Sequence, residues 1–231
     1  MKRIFFWIVV LVCLSVIGIA CSGFQALFSN DKVETGPHIL ITDYIRRQLK
    51  DPPEEINLTL EEIPLEEPEI QLPVRIFQVK QGLFADETFL IHDDSVYQLG
   101  TAYGGNGVSS MLITDLDQDG APELTYTYSF GSGIHQSRVG IFAPAYEAVK
   151  LQEADFAYQG DIGLLSDQDV VEIRVLKVKP DLQILDYKER IGTLYLREVS
   201  GQVDLVVEIT PGLPEQISER IINTSSDTGN E

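Results

Sequence analysis

The sequence predicts a mainly β protein: a single antiparallel β-rich domain, sandwich or partial propeller-like in kind. Three observations carry this. Strand-type alternation recurs from residue 74 onward, most clearly where Leu124, Tyr126, Tyr128 and Phe130 alternate with Thr125, Thr127 and Ser129. Turn-forming residues interrupt these runs at regular intervals. The 231 residues, 44% of them hydrophobic, can supply one sizeable core without disulfides.

Taken from the N-terminus, residues 1–20 read as a targeting segment. Lys2-Arg3 is a basic start, residues 4–19 are almost continuously apolar, and Gly18-Ile19-Ala20 places small residues around a cleavable bond. The apolar run is shorter than the ~20 residues a spanning helix needs. Only two cysteines occur, Cys13 within the run and Cys21 directly after the small residues. Cleavage before Cys21 leaves one cysteine, at the first position, and no internal disulfide. An unmodified thiol there is a liability in an oxidising compartment.

Residues 1–22 resemble a bacterial lipoprotein signal with its lipobox, in which the cysteine receives diacylglycerol. Ile17, Ala20 and Cys21 suit that pattern. Gly18 departs from it, because leucine is usual there. The resemblance implies lipidation at Cys21 and attachment to the cell membrane. Gly18-Ile19-Ala20 also suits an ordinary signal peptidase, and an uncleaved segment would act as an anchor. All three readings put the remainder outside the cytoplasm.

Residues 21–73 read as a linker. Ile41, Ile45 and Leu49 recur at helical spacing, which predicts a short helix from His38 to Lys50, stopped by Asp51-Pro52-Pro53. Residues 51–73 hold five prolines and eight acidic residues with no basic one, which predicts an extended stalk. The alternative is an edge strand through Ile56, Leu58 and Leu60. Residues 74–211 form the β-rich domain. Within it Phe89-Leu90-Ile91 and Val96-Tyr97-Gln98-Leu99 flank Asp93-Asp94 as a hairpin, and the Thr125/Thr127/Ser129 face is expected to meet solvent. Val171, Ile173 and Val175, then Leu205, Val207 and Ile209, repeat the alternation. Residues 212–231 read as a polar tail with one helical turn through Ile221-Ile222.

The formal charge of −19 limits the partners. Without Lys2 and Arg3 the 17 basic residues fall to 15 against 36 acidic ones, a charge of −21 for a chain starting at Cys21. Such a surface repels phosphate backbones and anionic lipid head groups, so no nucleic-acid partner is expected, while divalent cations and basic surfaces suit it. The plainer alternative is that the acidity only keeps the protein soluble.

One segment carries chemistry: Asp115-Leu116-Asp117-Gln118-Asp119-Gly120-Ala121-Pro122-Glu123. Carboxylates at positions 1, 3, 5 and 9 converge if the backbone turns tightly, which Gly120 allows, and Ala121 can add its carbonyl. Hard oxygen donors in this density point to Ca²⁺, and without a cation the carboxylates repel. An EF-hand requires glutamate at position 12, where Tyr126 stands instead. The loop resembles the calcium loop of FG-GAP or VCBS repeats, the blades of integrin-α-type propellers. That resemblance implies Asp115, Asp117, Asp119 and Glu123 as side-chain ligands and Ala121 through its carbonyl, with Glu123 where aspartate is more usual. It covers residues 108–143, about one repeat. No second copy exists: Asp167-Gln168-Asp169 lacks the glycine and the closing carboxylate. A full propeller, which needs at least four blades, is thereby excluded.

Two glycine-rich stretches, 103–107 and 129–135, flank these strands. They make Tyr103, Asn106 and His135 candidate partner contacts, against the plainer reading of tight turns. The whole stretch also resembles small lipoproteins of Gram-positive bacteria, which implies no activity. No GxSxG, HExxH or P-loop pattern occurs, and the histidines are His38, His92 and His135. The expectation is therefore a non-enzymatic, lipid-anchored domain that binds an unknown protein or envelope polymer. The alternative is a hydrolase or accessory subunit acting on envelope polymers.

Overall fold

The computed structural model describes residues 36–65, 72–82, 84–146, 150–167, 170–178, 184–199 and 202–222. The targeting segment and Cys21 lie outside the described residues. Among the described residues no helix is long and apolar enough to cross a membrane.

The protein is mainly β, with three antiparallel sheets. The first runs in chain order through β1 (Thr59–Ile63), β2 (Val74–Gln81), β3 (Thr88–His92) and β4 (Ser95–Gln98). The central sheet holds β5 (Gly107–Thr114), β6 (Glu123–Phe130), β7 (Gln136–Phe142), β8 (Leu151–Glu153) and β9 (Ala157–Gln159). The third contains β10 (Ile162–Asp167), β11 (Val170–Val178), β12 (Ile184–Val199) and β13 (Gln202–Ile209). Helix α1 (Pro37–Gln48) precedes them; helix α2 (Glu215–Ser218) and β14 (Ile221–Ile222) follow, the latter pairing with β9.

Three apolar clusters stack these layers. Helix α1 sets Ile41 and Ile45 on Phe77, Val79, Phe89 and Ile91 of the first sheet. The other face of that sheet, with Ile76 and Leu90, packs on Leu124, Tyr126, Tyr128 and Phe142 of the central sheet. The opposite face of the central sheet, with Val139, Ile141 and Tyr158, packs on Ile162, Leu164, Val171, Ile173, Ile191 and Leu194. Sheets hydrophobic on a face must bury it, and the central one buries two.

This corrects one expectation directly. Thr125, Thr127 and Ser129 do not face solvent; each is fully buried. The third sheet covers them, and their hydroxyls find partners. Thr127 Oγ1 donates to the carbonyl of Ile162 at 3.1 Å, Thr125 Oγ1 to that of Leu112 at 3.3 Å, and Ser129 Oγ accepts from Asn106 N at 3.1 Å. On the other face Tyr126 is seated because β7 offers no side chain opposite it. It pairs with Gly140, where an added Cβ would lie 2.3 Å from the tyrosine ring.

The expected stalk is a second correction. Thr59–Ile63 is an edge strand registered on β2, Leu60 opposite Val79 and Ile63 opposite Ile76, and Ile56 is buried. Its acidity has a local reason: Glu61 pairs with Lys80 at 2.9 Å and Glu62 with Arg75 at 2.8 Å, both on β2. Charged side chains on an edge strand also discourage pairing with another chain. The folded unit therefore includes α1 and β1, both ahead of residue 74. Proline at the first helical position and Arg46 and Arg47 in the last turn suit that helix. The tail differs likewise. The helical turn lies at Glu215–Ser218 with Ile217 buried, while Ile221 and Ile222 pair with Tyr158 and Ala157 as a strand. The Asp93-Asp94 hairpin forms as expected, with His92 opposite Ser95.

Candidate metal centre

Strands β5 and β6 end in the pair Thr114–Glu123, and the acidic loop joins them. The loop curls because its own backbone N–H groups turn inward onto the carboxylates. Gly120 N donates to Asp115 Oδ2 at 3.0 Å, Asp119 N to Asp117 Oδ1 at 3.2 Å, Ala121 N to Asp119 Oδ1 at 2.7 Å, and Leu116 N to Glu123 Oε2 at 2.8 Å. Gly120 takes a φ of 90° at the turn, a conformation open to glycine and costly for other residues.

Asp115, Asp117 and Glu123 each offer an oxygen within 4.8 Å of the other two. Oxygens bound to one Ca²⁺ at 2.3–2.6 Å can be at most about 5 Å apart, so the spacing fits a single ion. Asp119 does not join this group. It is exposed, and its Oδ1 takes the Ala121 N–H. Ala121 contributes that N–H to the turn.

Glu123 is 1% exposed, yet its Oε1 has no hydrogen-bond partner, and neither does the buried Oδ1 of Asp115. Burial pushes the Glu123 carboxyl up to about 7, and the charges of Asp117, Asp115 and Asp119 push the same way against the Leu116 N–H. None of the ion pairs among the described residues involves these carboxylates. Among the described residues, three acids thus cluster with two bare oxygens and no basic side chain paired to them. That donor set could hold a hard cation.

The sequence reading missed Tyr146. It stands in the turn after β7, and its hydroxyl donates to Asp117 Oδ2. That bond holds the phenol well above its ordinary range, with burial and the neighbouring carboxylates adding to it. Nothing in the local pattern links residues 29 apart.

The glycine-rich loops lie at the other end of the same two strands. They interlock: Gly131 N donates to Tyr103 O at 2.8 Å, and an added Cβ at Gly105 would lie 2.4 Å from Ser129 O. Asn106 and His135 converge, both on Asp161 Oδ1, at 3.1 and 3.0 Å. Asp161 was not legible as their partner. Tyr103 stands apart from them, 81% exposed, as is Ile134 at 73%. An open depression of about 420 Å³ lies between Gly133–His135, Gln159–Asp161 and Arg220.

No known protein family, curated protein or solved structure matches this chain.

Proposed function

We propose that the protein is a lipid-anchored, extracytoplasmic β-domain without catalytic activity, in which the 115–123 loop holds one structural Ca²⁺. The observation that carries the metal reading is Glu123: a buried carboxylate with one oxygen unpartnered, clustered with two further carboxylates and, among the described residues, paired with no base. Burying such a group uncompensated costs several kcal/mol, and a divalent cation is the compensation the donor set suits. Asp115, Asp117 and Glu123 would hold it, with Asp119 shaping the turn. Its role is to cross-link the β5–β6 hairpin at the end where the loop joins the two strands. The anchor rests on the placement of Cys21 directly after an apolar run, and the extracytoplasmic location follows from it.

The partner surface in this reading is the opposite end of the hairpin, where Tyr103, Asn106 and His135 stand on interlocked loops. The depression there is shallow and holds a single carboxylate, Asp161, beside His135. This favours a binding surface for a protein or envelope polymer over a hydrolase, which the paired carboxylates of a deep cleft would have suggested.

The metal reading is tested by calorimetric titration of the chelator-treated protein with Ca²⁺. One site with a dissociation constant of about 10⁻⁴–10⁻³ M is expected, as in other extracellular modules. No heat up to several millimolar Ca²⁺, with melting unmoved by chelator, would leave the loop as an acidic turn.

A further inference from the structure

The three clustered carboxylates are not held alike. Asp115 and Glu123 each keep one oxygen buried and bare. Asp117 has both oxygens engaged, Oδ1 by Asp119 N at 3.2 Å within the loop and Oδ2 by the hydroxyl of Tyr146 from outside it. Tyr146 itself is fixed. Its N–H donates to Ala143 O at 3.2 Å, Ala143 N donates to Lys150 O at 2.8 Å, and the ring packs on the core between the central and third sheets.

The chemistry of this donor matters. Asp117 is only partly buried, so repulsion from Asp115 and Glu123 would swing it into solvent unless something retains it. An arginine or lysine in that place would retain it and also cancel its charge, which works against a cation. A phenol hydroxyl retains it and leaves the charge whole. Each carboxylate oxygen has two lone pairs, so Oδ2 can hold the hydroxyl while Asp117 still offers a lone pair toward its two neighbours.

We propose that Tyr146 is the positioning residue of the metal site: its hydroxyl fixes Asp117 in the ligating arrangement and ties ion occupancy to the chain just after β7. This rests on the metal reading above. The site is then built from three segments of chain, the end of β5 with its loop, the start of β6, and Tyr146 after β7.

The test uses the full chain in detergent, freed of divalent ions, as wild type, Tyr146→Phe and Asp117→Asn. Calorimetry with Ca²⁺ should give Tyr146→Phe an affinity about tenfold below wild type, as expected when a hydrogen bond to a charged group is removed. Near-ultraviolet difference spectra should show a calcium-induced tyrosine band in the wild type, because the ion draws charge from the carboxylate the phenol touches. That band should be absent from Tyr146→Phe and from Asp117→Asn. Equal or tighter binding by Tyr146→Phe, or persistence of the band in it, overturns the proposal. Should Tyr146→Phe fail to fold, the wild type still decides: calcium binding without a tyrosine band overturns it. A wild type that binds no Ca²⁺ at all is a different failure, of the metal reading, and takes this one with it.

Discussion

Replacing Glu123 by glutamine probes the charge that the fold buries. In the ion-free protein the Glu123 carboxyl sits at about 7 against an ordinary value of 4.5, burial being the main cause. A folded-state value raised in this way contributes stability that is present below 4.5, where the group is protonated in both states. That contribution is lost as pH rises through 7, where folding must bury the charge. The difference corresponds to about 3 kcal/mol. Glu123→Gln removes the charge, keeps the shape and keeps an oxygen for the Leu116 N–H. At pH 8 without divalent ions the variant should therefore be more stable than wild type by up to about 3 kcal/mol. For a domain of this size that is roughly 6–12 °C in Tm. At pH 4.5 the two should melt together. Calcium should then narrow the gap from the wild-type side, raising its Tm while leaving the variant nearly unmoved. Calorimetric melting of both proteins at the two pH values, with and without Ca²⁺, measures each of these. Glu123→Gln melting at or below wild type at pH 8, or a difference independent of pH, would refute the idea that this carboxylate is buried at a cost.

Three further outcomes are expected. Calcium at roughly millimolar concentration should stabilise the wild type by about 0.4–1.4 kcal/mol, a rise of roughly 1–6 °C, and Asp117→Ala should lose most of that response in a melting scan. Cys21→Ala should abolish incorporation of a fatty-acid analogue and leave the protein soluble or as an unprocessed precursor; unchanged labelling would remove Cys21 as the attachment point. Ile45→Ala should cost about 2–5 kcal/mol in urea unfolding, because Ile45 is fully buried against the first sheet, whereas a helix on a detached stalk would show no loss.

The strands were legible because alternation is a local signal, and β2, β3, β6 and β11 fall where it places them. What lies across a strand's second face is not local. The run Thr125, Ser129 and Thr127 reads as solvent-facing from polarity alone, yet these are the polar side chains most easily buried, each with a hydroxyl that reaches a nearby backbone group. The prolines and acids of residues 51–73 misled for a related reason. An exposed edge strand needs one apolar row and otherwise tolerates charge, so its composition resembles a linker's. The metal loop was legible from spacing, since glycine and alternate carboxylates within nine residues define the turn. Which three acids meet was not, because Asp119 and Asp117 are equivalent in the pattern and each accepts the N–H two residues on; exposure of Asp119 and the distant Tyr146 hydroxyl on Asp117 separate them.

The two ends of the β5–β6 pair bear on what the ion can do for a partner. Between them the register slips, from Val108 opposite Tyr128 to Ser110 opposite Thr127, leaving Ser109 as a bulge. Ser109 is pinned there, its hydroxyl donating to the carbonyl oxygen of Ile162 at 3.0 Å and lying 3.1 Å from the hydroxyl oxygen Oγ1 of Thr127. Beyond the bulge the glycine-rich loops have their own supports. Asp161 holds Asn106 and His135, and the buried carboxylate of Glu87 accepts from Ala102 N at 3.0 Å and Thr101 Oγ1 at 3.1 Å. None of these contacts passes through the acidic loop. The ion is therefore expected to stabilise the domain without reshaping the partner surface. Amide exchange should slow on adding Ca²⁺ around Leu116 and Glu123, and stay unchanged at Asn106 and Gly131. A calcium-dependent change at those two amides would mean that the bulge transmits what its hydrogen bonds are here taken to absorb.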